Sequence, residues 1–213
     1  MNLNAAVNYS AHLSDILPVD FYSRSALETA KNLIGKLLVR RYLGQLIGGM
    51  IIETEAYQGE EDLGCHAKAG LTPRTKIMYG PPGHAYIYFT YGMHWMLNAV
   101  CCAIGSPAAV LIRGIEPVYG MDIMRTLRQQ PPTSKPGLLN KGWTDGPAKL
   151  CQALSLDGKL NGINLCDSNS ALWISDTGFE VPENDIVRTP RIGMNNVPEP
   201  WKSIPWRFLW NTP

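Results

Sequence analysis

Glu53 and Glu55 lie two residues apart where the apolar run Met50–Ile52 ends, and in a strand that spacing sets both carboxylates on one face. Tyr57 follows at the same spacing. Between Glu53 and Asn98 the chain also carries three histidines, five tyrosines and a Pro81-Pro82-Gly83 turn. A carboxylate beside several flat rings is suited to holding a planar or cationic ring while acid–base chemistry proceeds next to it. One carboxylate of the pair reads as a general base and the other as structural. A solvated strand end is the plainer alternative. The apolar residues before the pair, and Ala56-Tyr57 beyond it, weigh toward a half-buried functional group.

Other residues join this pair with weaker signals. His66 follows a glycine-bearing turn, where a loop histidine without a role is as common as a working one. Tyr86 and Tyr88 share one strand face and Ile87 and Phe89 the other, a stripe more often found in cores than in binding sites. Tyr91 precedes Gly92 at a hairpin tip. A large ring is hard to bury there, which makes it a candidate wedge or stacking group. Asn98 and Arg113 interrupt apolar strands, so each needs a partner if buried. Arg74, between Pro73 and Thr75, is the best anion contact, with simple solvation as its alternative. The helix start from Gly146 to Lys149 offers free N–H groups and a lysine to a phosphate. Phosphate-loop, dinucleotide, zinc-histidine and nucleophile-elbow motifs are all absent from the sequence.

The elements that must position these groups read as α+β. Ser25 and Glu28 have the spacing of a capping box, opening a helix through Asn32 that stops at Gly35. Strands are expected over Lys36–Tyr42 and Leu46–Glu55, with Gly48-Gly49 marking a bulge or a close backbone approach. Gln58–Gly83 reads as a long loop, and loops of that length inside a domain tend to be functional. His84–Tyr91 and Trp95–Ala103 form a hairpin, followed by a strand over Ala109–Glu116 and a helix over Tyr119–Arg128. Gln129–Trp143 is a further loop. Asp145 caps a helix with Pro147 just inside it, reaching about Leu154. Short strands near Leu172–Ser175 and Val187–Ile192 finish the domain. The pattern predicts a flexible arm over residues 1–19 and one compact domain over 20–213, built on a mostly antiparallel curved sheet with surrounding helices.

Composition sets limits. With 213 residues, 45% hydrophobic and 17% charged, the chain can bury a proper core. A formal net charge of +1 gives no bulk basic signal for nucleic acid, so local charge must decide. Between Lys68 and Lys149 basic residues dominate, just after the Glu60-Glu61-Asp62 run. Five cysteines without regular spacing argue against a disulfide framework or a zinc site. No stretch has the length of a bilayer span, and the first residues lack the pattern of a secretory signal. The expectation is an intracellular protein without membrane attachment, metal or cofactor.

Several longer motifs carry a resemblance. ETEAY at Glu53–Tyr57, the following His66, TPR at Thr72–Arg74, GPPGHAYIYFTYGMHWMLN at Gly80–Asn98 and LIRGIEP at Leu111–Pro117 resemble the alkyladenine (3-methyladenine) DNA glycosylase family. So do DGPAKLCQAL at Asp145–Leu154, RIG at Arg191 and PWRF at Pro205. The likeness runs from about Asp20 to Trp210, with the motifs in the family's order. Tyr79 departs from it, standing where phenylalanine is expected.

The resemblance implies roles. Glu55 is similar to the carboxylate that activates a water for attack at C1′ of the deoxyribose, and Arg113 to the arginine that helps orient that water. Tyr57, His66 and Tyr88 match residues that enclose an extruded base, and Asn98 the amide that screens against guanine's amino group. Tyr91 matches the ring that fills the gap left in the duplex; Arg74, Gly146 and Lys149, read from their own chemistry rather than the resemblance, are expected along the DNA backbone. The implied partner is damaged double-stranded DNA and the implied state a monomer.

Elementary chemistry agrees. A base inside a duplex must be extruded, at an unstacking cost of a few kcal/mol, and a wedge offsets part of that. Alkylation at N3 or N7 makes a purine cationic, so aromatic rings hold it better, by about 0.5–2 kcal/mol each, and it leaves more readily. Two rivals remain: a nucleic-acid-binding domain without catalysis, and a small-molecule hydrolase using Glu53 and Glu55 as a carboxylate pair.

Overall fold

In the computed structural model, which describes residues 12–129 and 142–211, the apolar runs become strands that all pair antiparallel. They are β1 (Leu37–Tyr42), β2 (Gln45–Gln58), β3 (Ala85–Thr90), β4 (His94–Cys101), β5 (Ala108–Tyr119), β6 (Leu172–Ser175), β7 (Ile186–Thr189) and β8 (Arg207–Trp210). The sheet order is β3-β4-β5-β2-β1-β6, with β8 also on β2 and β7 on β8. The 14-residue β2 is the spine. It pairs with β5 along one edge, and on the other with β1 through its first half and β8 over Glu53–Glu55. The result is a single compact α+β domain around a curled antiparallel sheet.

Strand alternation divides the sheet into two faces with different roles. Thr54, Ala56, Ile87, Leu97, Ala99, Val110 and Ile112 are buried on the core side. Helices cover that side. Ser25 and Glu28 form the expected reciprocal cap, and the helix α2 (Ala26–Leu33), after the short α1 (Val19–Tyr22), buries Ala26, Thr29, Ala30 and Leu33. Thr54 Oγ1 donates to the carbonyl of Ala30 at 2.8 Å, which satisfies the hydroxyl that alternation forces inward. After α3 (Met121–Leu127), α4 (Pro147–Ala153) buries Leu150, Cys151 and Ala153. The opposite face carries Glu55, Tyr57, Tyr86, Tyr88, Asn98 and Arg113 around a cavity.

Several boundaries differ from the sequence reading. The segment between β2 and β3 is not loop throughout, because His66–Ala69 and Lys76–Tyr79 wind into 3-10 turns. Tyr119 belongs to β5, and the helix begins only after Gly120, whose φ of 61° ends the strand. β7 stops at Thr189, which frees Arg191 and Ile192 from sheet pairing. β8 has no counterpart in the sequence reading: a four-residue strand with Phe208 and Trp210 inward leaves too short a pattern to read. Of the segment read as an arm, residues 1–11 lie outside the described residues. The part that follows is held down: Ile16 bridges Ser175, Leu17 is buried, and Leu13's carbonyl accepts from the Trp173 indole at 3.2 Å. Most of the loop Gln129–Trp143 also lies outside the described residues.

The Gly48-Gly49 pair does what its composition suggests. A register shift falls between the two residues, and a Cβ on Gly49 would sit 2.2 Å from the carbonyl oxygen of Glu116. Backbone-to-backbone approach of that kind leaves no room for any side chain. Gly49→Ala is therefore expected to destabilise the fold by roughly 2 kcal/mol or more, read as a lowered denaturation midpoint with an unchanged slope.

Candidate active site

Two compensating bulges build the floor of the cavity. On β2 the pairing steps from Ile51 opposite Ile115 to Glu53 opposite Gly114, so Ile52 is an extra residue. One residue later Thr54 faces Ile112, so Arg113 is the extra residue on β5. The two insertions cancel, and Glu53, Glu55 and Arg113 end on the same face with the strand twist locally increased. Beyond them one row crosses four strands: Glu55 opposite Leu111, Leu111 opposite Asn98, Asn98 opposite Tyr86.

Glu55 has no solvent exposure, and every partner that compensates its charge is identifiable. The Tyr57 hydroxyl donates to Oε2 at 2.7 Å, and the backbone N–H of Ile192 donates to Oε1 at 2.7 Å. Arg113 Nη1 lies 3.3 Å from Oε1. Burial raises the Glu55 pKa above the ordinary carboxylate value, and Arg113, the Ile192 N–H and the Tyr57 hydroxyl only partly pull it back. A buried carboxylate with a shifted pKa beside a cavity is a candidate for acid–base chemistry. Burial, with Glu55 alongside, pushes the Tyr57 phenol well up, so it remains a donor to the carboxylate.

Glu53 is held by two arginines. Its Oε1 accepts from Arg113 Nε at 2.6 Å and from Arg207 Nε, on β8, at 2.6 Å. Burial works against the Arg113 charge, but Glu55 and Glu53 outweigh it and hold that guanidinium's pKa above its usual value. Arg113 thus spans both carboxylates, and Glu53 keeps it from swinging away.

Aromatic rings form the walls of the cavity, which measures about 400 Å³, within the range of small-molecule pockets. His66 and Tyr88 meet edge to face with centroids 4.6 Å apart, and Tyr86 lies 5.2 Å from Tyr88. His66 Nδ1 and the Tyr86 hydroxyl share a hydrogen bond of 2.9 Å. Burial, with Arg74 and Lys68 nearby, pulls the His66 pKa down to about 4, so the ring is neutral at neutral pH. The stripe Tyr86–Tyr88 is therefore cavity wall rather than plain core. Asn98 is buried in the same row and donates through Nδ2 to the Tyr86 carbonyl at 3.0 Å.

At the rim the sequence-derived candidates separate. Tyr91 is 82% exposed at the β3–β4 tip, with a φ of 52°, and still lines the cavity mouth. Arg74 is exposed, with its guanidinium 5.0 Å above the Tyr88 ring. Pro147 lines the cavity, which puts Gly146 at its edge, while Lys149 Nζ is paired with Asp145 at 2.8 Å. That pairing leaves the helix start a less open cradle than the bare sequence suggests.

Three contributors escaped the sequence reading. Asp62 and Arg191 form a buried ion pair with contacts of 2.5 and 2.8 Å, and Arg191 sits 4.6 Å over the Tyr57 ring. Ile192 acts through its N–H alone, which no side-chain pattern can reveal. Asp62 looked like one member of an acidic run, and Arg191 carried weight only as part of the RIG motif.

Comparison with known proteins follows the same lines. Residues 20–212 match a family model described as "Methylpurine-DNA glycosylase (MPG)". The chain is 49% identical over 193 residues to a protein of Carboxydothermus hydrogenoformans, covering 91% of this chain and 94% of that one. It is 46% identical over 193 residues to one of Methanocella arvoryzae, covering 91% of each. It is 45% identical over 194 residues to one of Myxococcus xanthus, covering 91% of this chain and 89% of that one. Each carries the name "Putative 3-methyladenine DNA glycosylase". The chain belongs to the methylpurine-DNA glycosylase family, and with it to the enzymes that hydrolyse N-glycosyl bonds in DNA.

The His66 environment has a pH consequence. Its folded pKa lies near 4, below the value of about 6.5 for an unperturbed imidazole, so the unfolded chain takes up the proton first. Stability from this group is complete above about pH 6.5 and is lost as pH falls toward 4. Denaturation measured across that window should fall less steeply in His66→Gln than in the parent, and the ring should titrate near pH 4 by NMR.

Proposed function

From family membership and the geometry of the cavity, we propose that this protein extracts alkylated or deaminated purines from duplex DNA and hydrolyses their N-glycosidic bond with water. One observation carries the reading: a fully buried carboxylate of raised pKa forms the floor of an aromatic cavity whose mouth holds an exposed tyrosine. The names borne by the relatives add 3-methyladenine to the substrates; 7-methylguanine-type lesions and hypoxanthine complete the class.

The extruded base enters between Tyr57, His66 and Tyr88, where a cationic purine gains about 0.5–2 kcal/mol from each well-placed ring. Neutral His66 adds a flat wall without repelling that charge. Tyr91 takes the vacated place in the stack, and Arg74, Gly146 and Lys149 face the backbone. The Asn98 amide, fixed by its bond to the Tyr86 carbonyl, meets the base edge and clashes with guanine's amino group. Glu55 accepts a proton from the attacking water while Arg113 orients it, and the carboxylate's charge stabilises the cationic sugar as the bond breaks. No lysine among the described residues lines the cavity, which favours simple hydrolysis over a covalent amine and strand cleavage.

Duplex oligonucleotides bearing hypoxanthine or a methylated purine, scored for free base and alkali-sensitive abasic sites, test the reading. Glu55→Gln should cut base release by about 10²–10⁴-fold and still bind lesion DNA; unchanged turnover would exclude Glu55 as the base. Because Glu55 must be ionised, activity should decline on acidification through a limb above the ordinary carboxylate pKa. Removing the nearby cation in Arg113→Gln should move that limb to higher pH. Tyr91→Ser should weaken lesion binding by about 1–3 kcal/mol and leave the melting temperature in place, since the ring is solvent-exposed. Equal losses of binding and thermal stability would contradict the wedge.

A further inference from the structure

We propose that Arg191, clamped by Asp62, is a positioning residue for the excision reaction, setting the one backbone donor that Glu55 receives and the ring that covers it; this rests on the function proposed above. A fully buried ion pair is not the cheapest way to fill space, since well-packed apolar residues of similar volume often do as well or better. Asp62 and Arg191 have side chains with 0% exposure, so something other than filling must explain the pair.

Of the partners of the pair, Tyr57, Gly64 and Cys65 line the cavity, and Ala56 lies between Glu55 and Tyr57. Arg191 Nη1 donates to Asp62 Oδ2 at 2.5 Å and to the carbonyl of Ala56, the residue between Glu55 and Tyr57, at 3.0 Å. Nη2 donates to Asp62 Oδ1 at 2.8 Å and to the Trp201 carbonyl at 3.3 Å. The guanidinium is sandwiched between Tyr57, at 4.6 Å, and Trp206, at 5.2 Å. On the other side, Asp62 accepts from the Gln58 N–H at 3.2 Å and the Gly64 N–H at 2.9 Å, and its own carbonyl accepts from Cys65 N–H at 2.8 Å. One carboxylate thus joins the end of β2, the turn that leads into His66, and the segment after β7.

The consequence falls on the next peptide. Ile192 follows Arg191 directly, and its N–H makes the 2.7 Å bond to Glu55 Oε1. Ile192 is 51% exposed and cannot anchor itself by burial. The anchor is the guanidinium one residue earlier. Releasing it would loosen the N–H donor to Glu55 and the Tyr57 ring together.

The double variant Arg191→Gln/Asp62→Asn keeps a hydrogen-bonded pair without a lone buried charge, and Arg191→Lys keeps the charge without the fork. We expect the double variant to melt cooperatively and bind lesion DNA within a few-fold of the parent. Its single-turnover base release should fall by about 100-fold, the size of effect typical of a misplaced catalytic group. With one donor weakened, the Glu55 carboxyl should titrate at higher pH by 13C NMR. Arg113, Glu53 and Tyr88 around it are unchanged, whereas a loosened Tyr57 and the lost Arg191 charge act in the same upward direction; Arg191→Lys, which keeps the charge, separates charge from positioning. Arg191→Lys should recover part of both effects. A parental rate and an unmoved Glu55 titration in the double variant would overturn the inference. Should the double variant fail to fold, the same null result in Arg191→Lys would overturn it. A parent protein that releases no base would overturn the functional reading alone, and the Glu55 titration would still decide whether the pair positions that carboxylate.

Discussion

The structure turns on keeping one carboxylate ionisable while it is buried at the floor of a cavity. An uncompensated carboxylate in an apolar interior would simply take up a proton, at a desolvation cost of several kcal/mol if it stayed charged. Glu55 avoids that through three donors from three parts of the chain: a tyrosine two residues on, an arginine from the neighbouring strand, and a backbone N–H from beyond β7. The compensation is incomplete, and the raised pKa is its signature. Fuller pairing would give a more stable but less basic group.

That requirement shapes the sheet. A regular ladder would pair β2 and β5 in one unbroken register, but extra residues at Ile52 and Arg113 interrupt it where the carboxylates stand. Because the two insertions cancel, the pairing beyond them is regular again, and the row from Glu55 to Tyr86 crosses four strands in step. Glu53 then has a clear use: it holds Arg113 from one side and ties in Arg207 of β8 from the other. The two glutamates, alike in the sequence, differ because Glu55 faces two neutral donors, the far end of Arg113 and a cavity, whereas Glu53 is held by two cations.

Charge is placed locally rather than in bulk. A net charge of +1 gives no bulk signal, yet Arg74 stands at the cavity mouth over Tyr88 and Arg113 at its floor, where Glu53 and Glu55 share its charge. The aromatic walls complement this from the opposite direction, since electron-rich ring faces favour a cationic guest. His66 belongs with the rings, because its own burial and the nearby arginine keep it uncharged.

Patterns confined to a few residues were legible without coordinates. The capping box at Ser25–Glu28, the hairpin that exposes Tyr91, the Gly48-Gly49 approach and the shared face of Glu53, Glu55 and Tyr57 all follow from local periodicity or from one residue's backbone freedom. The motifs also led to the family. Tertiary structure alone decided that Glu53 is held by cations arriving from β5 and β8. It alone joined Asp62 to Arg191 across 129 residues and aimed the Ile192 N–H at Glu55. It alone seated residues 13–17 on the sheet through Trp173 and Ser175. The physical reason is the same in each case. Helix and strand periods are written into neighbouring residues, whereas a buried charge finds its partners only after the chain has folded back on itself.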